Sequence, residues 1–338
     1  MANMFLPTET LLRLIQNYSM NSKRNLINHI SAHGVNMPWK KLAKKFKIRD
    51  KRGNISWQSA VGTWSNHLRK TMKRTPKILI YDIEISLMEL YGFGIWGQNF
   101  NVMNGSVQHD QFLLCWSAKW LHHSKIMSDC VTSQEALDKD DIRVANSLHK
   151  LLNEADIVVA HYGDKFDLPW MRTCFLKHNL NPISSLQSID TLKSAKKILR
   201  FKSNKLDYIA KSLGLEGKFE TGFQLWVRCQ KGDPEALRSM TEYCDQDVLV
   251  LEKVYLKLRP YIRPHPNVAL FYQDASHRCP TCGSDDLAWE QNGKPHEYNT
   301  GTNIFPAFQC NSCTSFGRLK GTKITKIVRD TLARSLPR

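Results

Sequence analysis

Acidic residues are almost missing from both ends of this 338-residue chain. Residues 1–77 hold only Glu9 and Asp50 against 16 lysines and arginines, and residues 314–338 hold only Asp330 against seven. The two ends therefore carry +14 and +6 of a total of +17, and residues 78–313 are left with a net charge of −3. No run of about 18 apolar residues occurs, so no membrane-spanning helix is expected. The N-terminus, MANMFLPTETLLRLIQ, lacks a basic region ahead of its apolar residues and a small-residue cleavage site, so no secretory signal is expected. Nine cysteines are an odd number in a mid-sized chain, which disfavours a secreted disulfide framework. Internal repeats and low-complexity tracts are absent too. What remains is a globular composition, 42% hydrophobic and 23% charged, whose basic ends point to a polyanionic partner, nucleic acid before others.

Three regions separate by composition. In residues 1–74, Met37 to Ile48 places apolar residues at helical spacing with lysines between them, and Gly53-Asn54 punctuates a turn. Ser56 then caps a second helix through Trp57, Val61, Trp64 and Leu68. Two short helices about a Gly-containing turn resemble a helix-turn-helix, and a winged or merely helical basic domain fits nearly as well. Lys40, Lys44 and Arg69 are its candidate nucleic-acid contacts.

From residue 75 to 262 the pattern alternates. Lys77–Ile85, Glu89–Trp96 and Gln111–Trp120 read as strands, followed by a helix at Ile142–Asn153 and a buried strand at Asp156–Ala160. Helices are expected at Pro169–His178, Leu192–Leu199, Lys205–Leu213 and Pro234–Leu258, with a short strand near Ser188–Asp190. Strands first, then helices alternating with further strands, predict an α/β domain with a mixed central sheet.

Three separated pieces of this region carry chemistry. In Tyr81-Asp82-Ile83-Glu84, strand alternation turns both acids to one face, where burial is costly without a cation between them, although an edge strand would simply expose them. Asp167 follows the buried strand within His161-Tyr-Gly-Asp-Lys-Phe-Asp, a position that also suits a helix N-cap. Tyr243 and Asp247 stand one helical turn apart, while Asp245 falls on a different face and is expected to be solvated.

Taken in order, Asp-x-Glu on a strand, Phe-Asp after a later strand and Tyr-Cys-x-x-Asp on a helix resemble the tyrosine-type DEDD 3′→5′ exonucleases of the ribonuclease-H-like superfamily. The similarity is to the proofreading domain of family B DNA polymerases, freestanding as in exonucleases of bacteria and their phages, and covers roughly residues 77–258. The histidine-type branch would place histidine five residues before Asp247, where this chain has Glu242. The family's asparagine after His161 is replaced by Tyr162, which implies altered substrate positioning with the metal carboxylate Asp167 retained.

The resemblance implies a ribonuclease-H-like mixed central sheet flanked by helices. It also implies two Mg²⁺ or Mn²⁺ ions held by Asp82, Glu84, Asp167 and Asp247, with Tyr243 aiming a water at the terminal phosphodiester to release 5′-mononucleotides. DNA is favoured over RNA as partner. Two other readings stay open: an exoribonuclease using the same site, and a non-enzymatic DNA-binding regulator built on the fold. Phe166, Trp170, Trp116 and Trp120 stack bases or belong to the core, and Asn204 and Lys205, with Phe201 and Lys202, form a loop that can touch substrate. His161 reads as structural rather than as a base.

Residues 263–338 carry Cys279-x-x-Cys282 and Cys310-x-x-Cys313, the spacing of a structural zinc ribbon with one Zn²⁺ on four thiolates and His277 and His296 left out. Ile324, Ile327, Val328, Leu332 and Leu336 predict an amphipathic basic helix in the tail. No polymerase domain follows, so the expectation is a freestanding nuclease, cytoplasmic in a bacterial or phage-infected cell or otherwise intracellular.

Overall fold

The computed structural model describes residues 75–91, 106–183, 186–217, 221–272 and 276–333. The basic segment 1–74, with Lys40, Lys44, Arg69 and the expected helix-turn-helix, lies outside the described residues. Thr75–Leu270 and Ser276–Arg338 belong to one compact unit.

Chain order begins with β1 (Ile78–Ile85), β2 (Glu89–Leu90), β3 (Val107–His109), β4 (Leu113–Trp120) and β5 (Ile126–Cys130). Helices α1 (Ser133–Asp138) and α2 (Ile142–Glu154) lead to β6 (Ile157–Ala160), α3 (Asp167–Lys177) and β7 (Gln187–Asp190). Then come α4 (Thr191–Ile198), α5 (Leu206–Ser212), α6 (Gln224–Gln230) and α7 (Pro234–Leu258). The central sheet runs β5-β4-β1-β6-β7, with β1 antiparallel to β4 and parallel to β6. Helices flank this mixed sheet, so the domain is mixed α/β, as the alternating pattern predicts.

Three of the expected strands start one or two residues later than their sequence patterns, and of the strand expected at Glu89–Trp96 a β-pairing at Glu89–Leu90 falls among the described residues, with 92–96 outside them. Strand β5 and helices α1 and α6 had no counterpart in the sequence reading. Yet α1 carries a full capping box: Thr132 accepts the Glu135 N–H, and the Glu135 carboxylate accepts the Thr132 N–H.

Alternation along β1 and β4 explains how the sheet is covered. Leu79, Tyr81, Ile83, Leu114, Trp116 and Ala118 belong to one apolar cluster with Val144, Leu148 and Leu152 of α2. The Trp116 indole N–H donates to Val144 O at 3.2 Å and Ser147 Oγ at 3.0 Å, which makes Trp116 core and not a stacking platform. Helix α7 packs on β4 and β1, and here the partners are polar. Ser117 Oγ donates to Asp245 Oδ1 at 2.6 Å, and the Lys119 ammonium pairs with Glu252 at 7% and 12% side-chain exposure. Asp245 therefore faces the sheet rather than solvent, because β4 offers it a hydroxyl there.

The cysteine-bearing part contains β8 (Leu287–Ala288), β9 (Glu290–Gln291), β10 (Lys294–Pro295), β11 (Glu297–Asn299), β12 (Ile304–Cys310) and β13 (Phe316–Arg318). The segment leading into it is tied to the end of α7, where Tyr255 Oη is 2.9 Å from His265 Nε2, and to the first cysteine knuckle, where Val268 N donates to Pro280 O at 2.7 Å. The tail helix α8 (Lys326–Asp330) is five residues long and buries none of them, with Ile327 81% exposed. The predicted amphipathic helix thus stops short of Leu332, since so few residues without a packing surface are marginal, and Leu336 lies outside the described residues. No helix among the described residues is long and apolar enough to cross a membrane.

Candidate active site

The site starts from β1, whose pairing places Asp82 opposite Ser117 and Glu84 opposite Cys115. The ladder shifts register between Glu84 and Ile85, a bulge of the kind that re-aims side chains next to sites. Helix α7 crosses this face and presents Asp247, which is 3% exposed. Ligand oxygens of Asp82, Glu84 and Asp247 lie within 4.8 Å of one another. Residues 163 positions apart are thus gathered into one acid cluster. Cys244 packs beneath it, Sγ 3.6 Å from Asp82 O and 3.8 Å from Asp82 Oδ2, and burial pushes its thiol up to about 11.

Asp167, the first residue of α3, is 2% exposed and is not one of that group of three. It stands beside it nonetheless, because its carboxylate accepts the backbone N–H of Ile83, between the two acids of β1. Burial pushes its carboxyl up to about 7, and the nearby Asp190 charge adds to the rise. The buried Tyr81 phenol is likewise raised by burial and by the charges of Asp167 and Asp82. Buried groups that resist ionisation thus gather beside the acid cluster.

The turn between β6 and α3 is tightly specified. A Cβ at Gly163 would stand 2.4 Å from Ala160 Cβ, so only glycine fits this approach without a shift. Tyr162 adopts φ +76°, a left-handed conformation that asparagine occupies several-fold more readily than most residues. A tyrosine at this position therefore costs backbone strain. Asp190 holds the turn by accepting N–H bonds from Tyr162 at 3.1 Å and Asp164 at 3.3 Å while capping α4 through Lys193 N at 2.9 Å. His161 spends both ring nitrogens on structure, Nδ1 on Thr191 Oγ1 and Nε2 on Asn204 O, each at 2.9 Å.

A cleft of about 420 Å³ adjoins the acids, lined by Glu84, Phe166, Phe223 and Trp226 among others. The Trp226 ring meets Tyr243 edge-on, with centroids 6.1 Å apart, so α6 braces the tyrosine of α7. Phe223 and Trp226 escaped the sequence reading. Trp170 lines a different cleft from Phe166 and is packed in part against the core. Asn204 and Lys205 sit at the start of α5, with His161 Nε2 at 2.9 Å from Asn204 O.

Separately, the sulfurs of Cys279, Cys282, Cys310 and Cys313 converge within 4.8 Å of one another. Two of their contacts are 3.6 Å, close to the edge of about 3.8 Å that a tetrahedron of zinc–sulfur bonds requires. Neither His277 nor His296 joins the cluster.

Residues 121–259 match the family model described as RNase H superfamily. These residues carry an RNase H-like domain. The match includes Asp167, Tyr243 and Asp247 and begins after Asp82 and Glu84. Superfamily members are generally nucleases. Among solved structures, the family B DNA polymerase of the hyperthermophilic archaeon Pyrobaculum calidifontis is similar at 15% identity with a TM-score of 0.42. That likeness covers 55% of this chain and 25% of the polymerase, so the chain spans about a quarter of it. No curated protein matches.

Proposed function

We propose that the chain is a metal-dependent 3′→5′ exonuclease that hydrolyses DNA to 5′-mononucleotides. The observation that carries this reading is the convergence of Asp82, Glu84 and Asp247, with buried Asp167 hydrogen-bonded between the first two. Their donors are hard carboxylate oxygens, which suit Mg²⁺ or Mn²⁺, and a cation there would relieve the charge burial that raises Asp167. Such ions supply Lewis-acid polarisation of the phosphate and a more acidic bound water.

The chain's own residues do the rest. Tyr243, braced by Trp226, is placed to hydrogen-bond and aim the attacking water. Phe166, Phe223 and Trp226 offer faces on which the terminal base stacks next to Glu84. The basic ends, including Lys40, Lys44 and Arg69, contribute phosphate contacts. The four cysteines hold a structural Zn²⁺, with a set of ligands that leaves no open position.

End-labelled single- and double-stranded DNA and RNA, incubated with Mg²⁺ or Mn²⁺, test the reading. The parent should release mononucleotides from 3′ ends of DNA. Asp82→Ala and Asp247→Ala should each lose more than the roughly 10- to 100-fold typical of outer-shell metal partners. Activity surviving in both variants would sink the site assignment. Degradation confined to RNA would replace the substrate, and no degradation of any substrate would leave a nucleic-acid-binding scaffold.

A further inference from the structure

A cleft of about 380 Å³ opens apart from the acid cluster, between the segment entering β4, the α1–α2 junction and the end of α3. Three side chains of different chemistry meet there: the Asp141 carboxylate, the Cys174 thiol and the His178 imidazole. Their ligand atoms all lie within 4.8 Å of one another. Cys174 and His178 are four residues apart at the end of α3, hence on one face and one turn apart.

Asp141 occupies the N-cap position of α2, yet its side chain makes no capping hydrogen bond. The carboxylate is turned instead toward α3. Its Oδ1 is 2.5 Å from His178 Nε2, and its Oδ2 is 3.6 Å from Cys174 Sγ while accepting the Leu113 N–H at 2.6 Å. That backbone bond fixes the carboxylate's orientation, as outer-shell partners of metal ligands do. Asp141 and Cys174 are each 5% exposed, and the His178 side chain 22%. The cations at the rim are already engaged with acids outside the group, Lys177 with Asp110 and Lys139 with Glu89.

We propose that Asp141, Cys174 and His178 form a transition-metal site, for Zn²⁺ or a cation of similar softness, with its fourth position open to the cleft. A mixed sulfur, nitrogen and oxygen set suits zinc and its neighbours and disfavours Mg²⁺ and Ca²⁺. Three protein ligands with an accessible fourth position are the arrangement of a reactive or exchangeable zinc, unlike the closed four-cysteine cluster. The sulfur–oxygen separation already matches a tetrahedral edge. That edge is to Oδ2, so with Oδ2 as the ligand oxygen the His178 imidazole must release Oδ1 and turn toward the ion, a rotation its half-buried side chain allows. None of this depends on how the acid cluster is used.

The test is the zinc content of the full chain after dialysis, measured by mass spectrometry alongside Cys174→Ser, His178→Ala and Cys310→Ala. The parent should hold two ions. Cys174→Ser and His178→Ala should each lose one, with circular dichroism unchanged, and Cys310→Ala should lose the other. Zinc content that neither Cys174→Ser nor His178→Ala lowers overturns the proposal. Co²⁺ titration of the unaltered chain guards against a misfolded variant. Two classes of bound cobalt are expected, one with a thiolate charge-transfer band weaker in proportion to one sulfur rather than four. A single four-thiolate class overturns the proposal as well.

Discussion

Asp167→Asn should make the metal-free protein more stable at pH 8 while abolishing the proposed nuclease activity. The parent carboxyl is held near 7 when folded against an ordinary value of 3.8, chiefly by burial and then by Asp190. A carboxyl whose folded value is raised binds its proton more tightly in the folded state. Its contribution to stability is therefore largest below about pH 4, falls as pH climbs toward 7, and is flat above. A shift of about three units corresponds to about 4 kcal/mol across that window, an upper figure because buried sites admit water and relax.

Asparagine has nearly the same shape and no charge to bury, so it removes that slope. The assay is urea unfolding of both proteins in chelator between pH 5 and pH 8, read as the difference between them. Other titrating groups then cancel, including Glu135, which Arg143 holds down to about 2. Adding Mg²⁺ at pH 8 should stabilise the parent by mass action on the folded state and stabilise Asp167→Asn much less. A parent-minus-variant difference that does not change between pH 5 and pH 8 would refute the account of Asp167 as a buried charge awaiting a cation.

Three further outcomes follow from the same geometry. Tyr243→Phe should lower kcat on the order of tenfold to a hundredfold while Mg²⁺ still stabilises the fold, and an unchanged kcat would remove the tyrosine from the reaction. Trp226→Ala should weaken binding of single-stranded DNA by about 1–3 kcal/mol, measured by fluorescence anisotropy, and no change would move base stacking elsewhere. Lys119→Met should cost about 3–5 kcal/mol in urea unfolding, because it strands the Glu252 carboxylate between β4 and α7, and a loss under about 1 kcal/mol would mean the pair is solvated.

The acids were legible in the sequence because their geometry is local. Strand alternation alone turns Asp82 and Glu84 to one side, and helical spacing alone stacks Tyr243 over Asp247. That these separate pieces meet is a property of the fold, and it came from the order of motifs and not from any single one. Asp245 went astray for a related reason. Helical periodicity correctly placed it on another face than Asp247, but only the sheet register reveals Ser117 waiting there. Cysteine spacing likewise predicted four sulfurs in one place without indicating that the segment leading into the module is tied to the end of α7.

The aromatic cleft was hidden because its residues are anchored by neither pattern. Phe223 and Trp226 lie at the start of a seven-residue helix that no periodicity could announce, and their nearness to Glu84 arises from α6 packing on α7. The same packing carries a functional consequence. Asp247 and Tyr243 share one helix with Glu252, so the ion pair that fixes α7 on β4 also fixes the third acid against β1. Stability and chemistry are therefore not separable along this helix. If the Lys119–Glu252 pair sets the helix's seat, loosening it should weaken Mg²⁺ stabilisation in a protein that still folds, whereas an effect on unfolding alone would leave the acids positioned by the contact of Cys244 with Asp82.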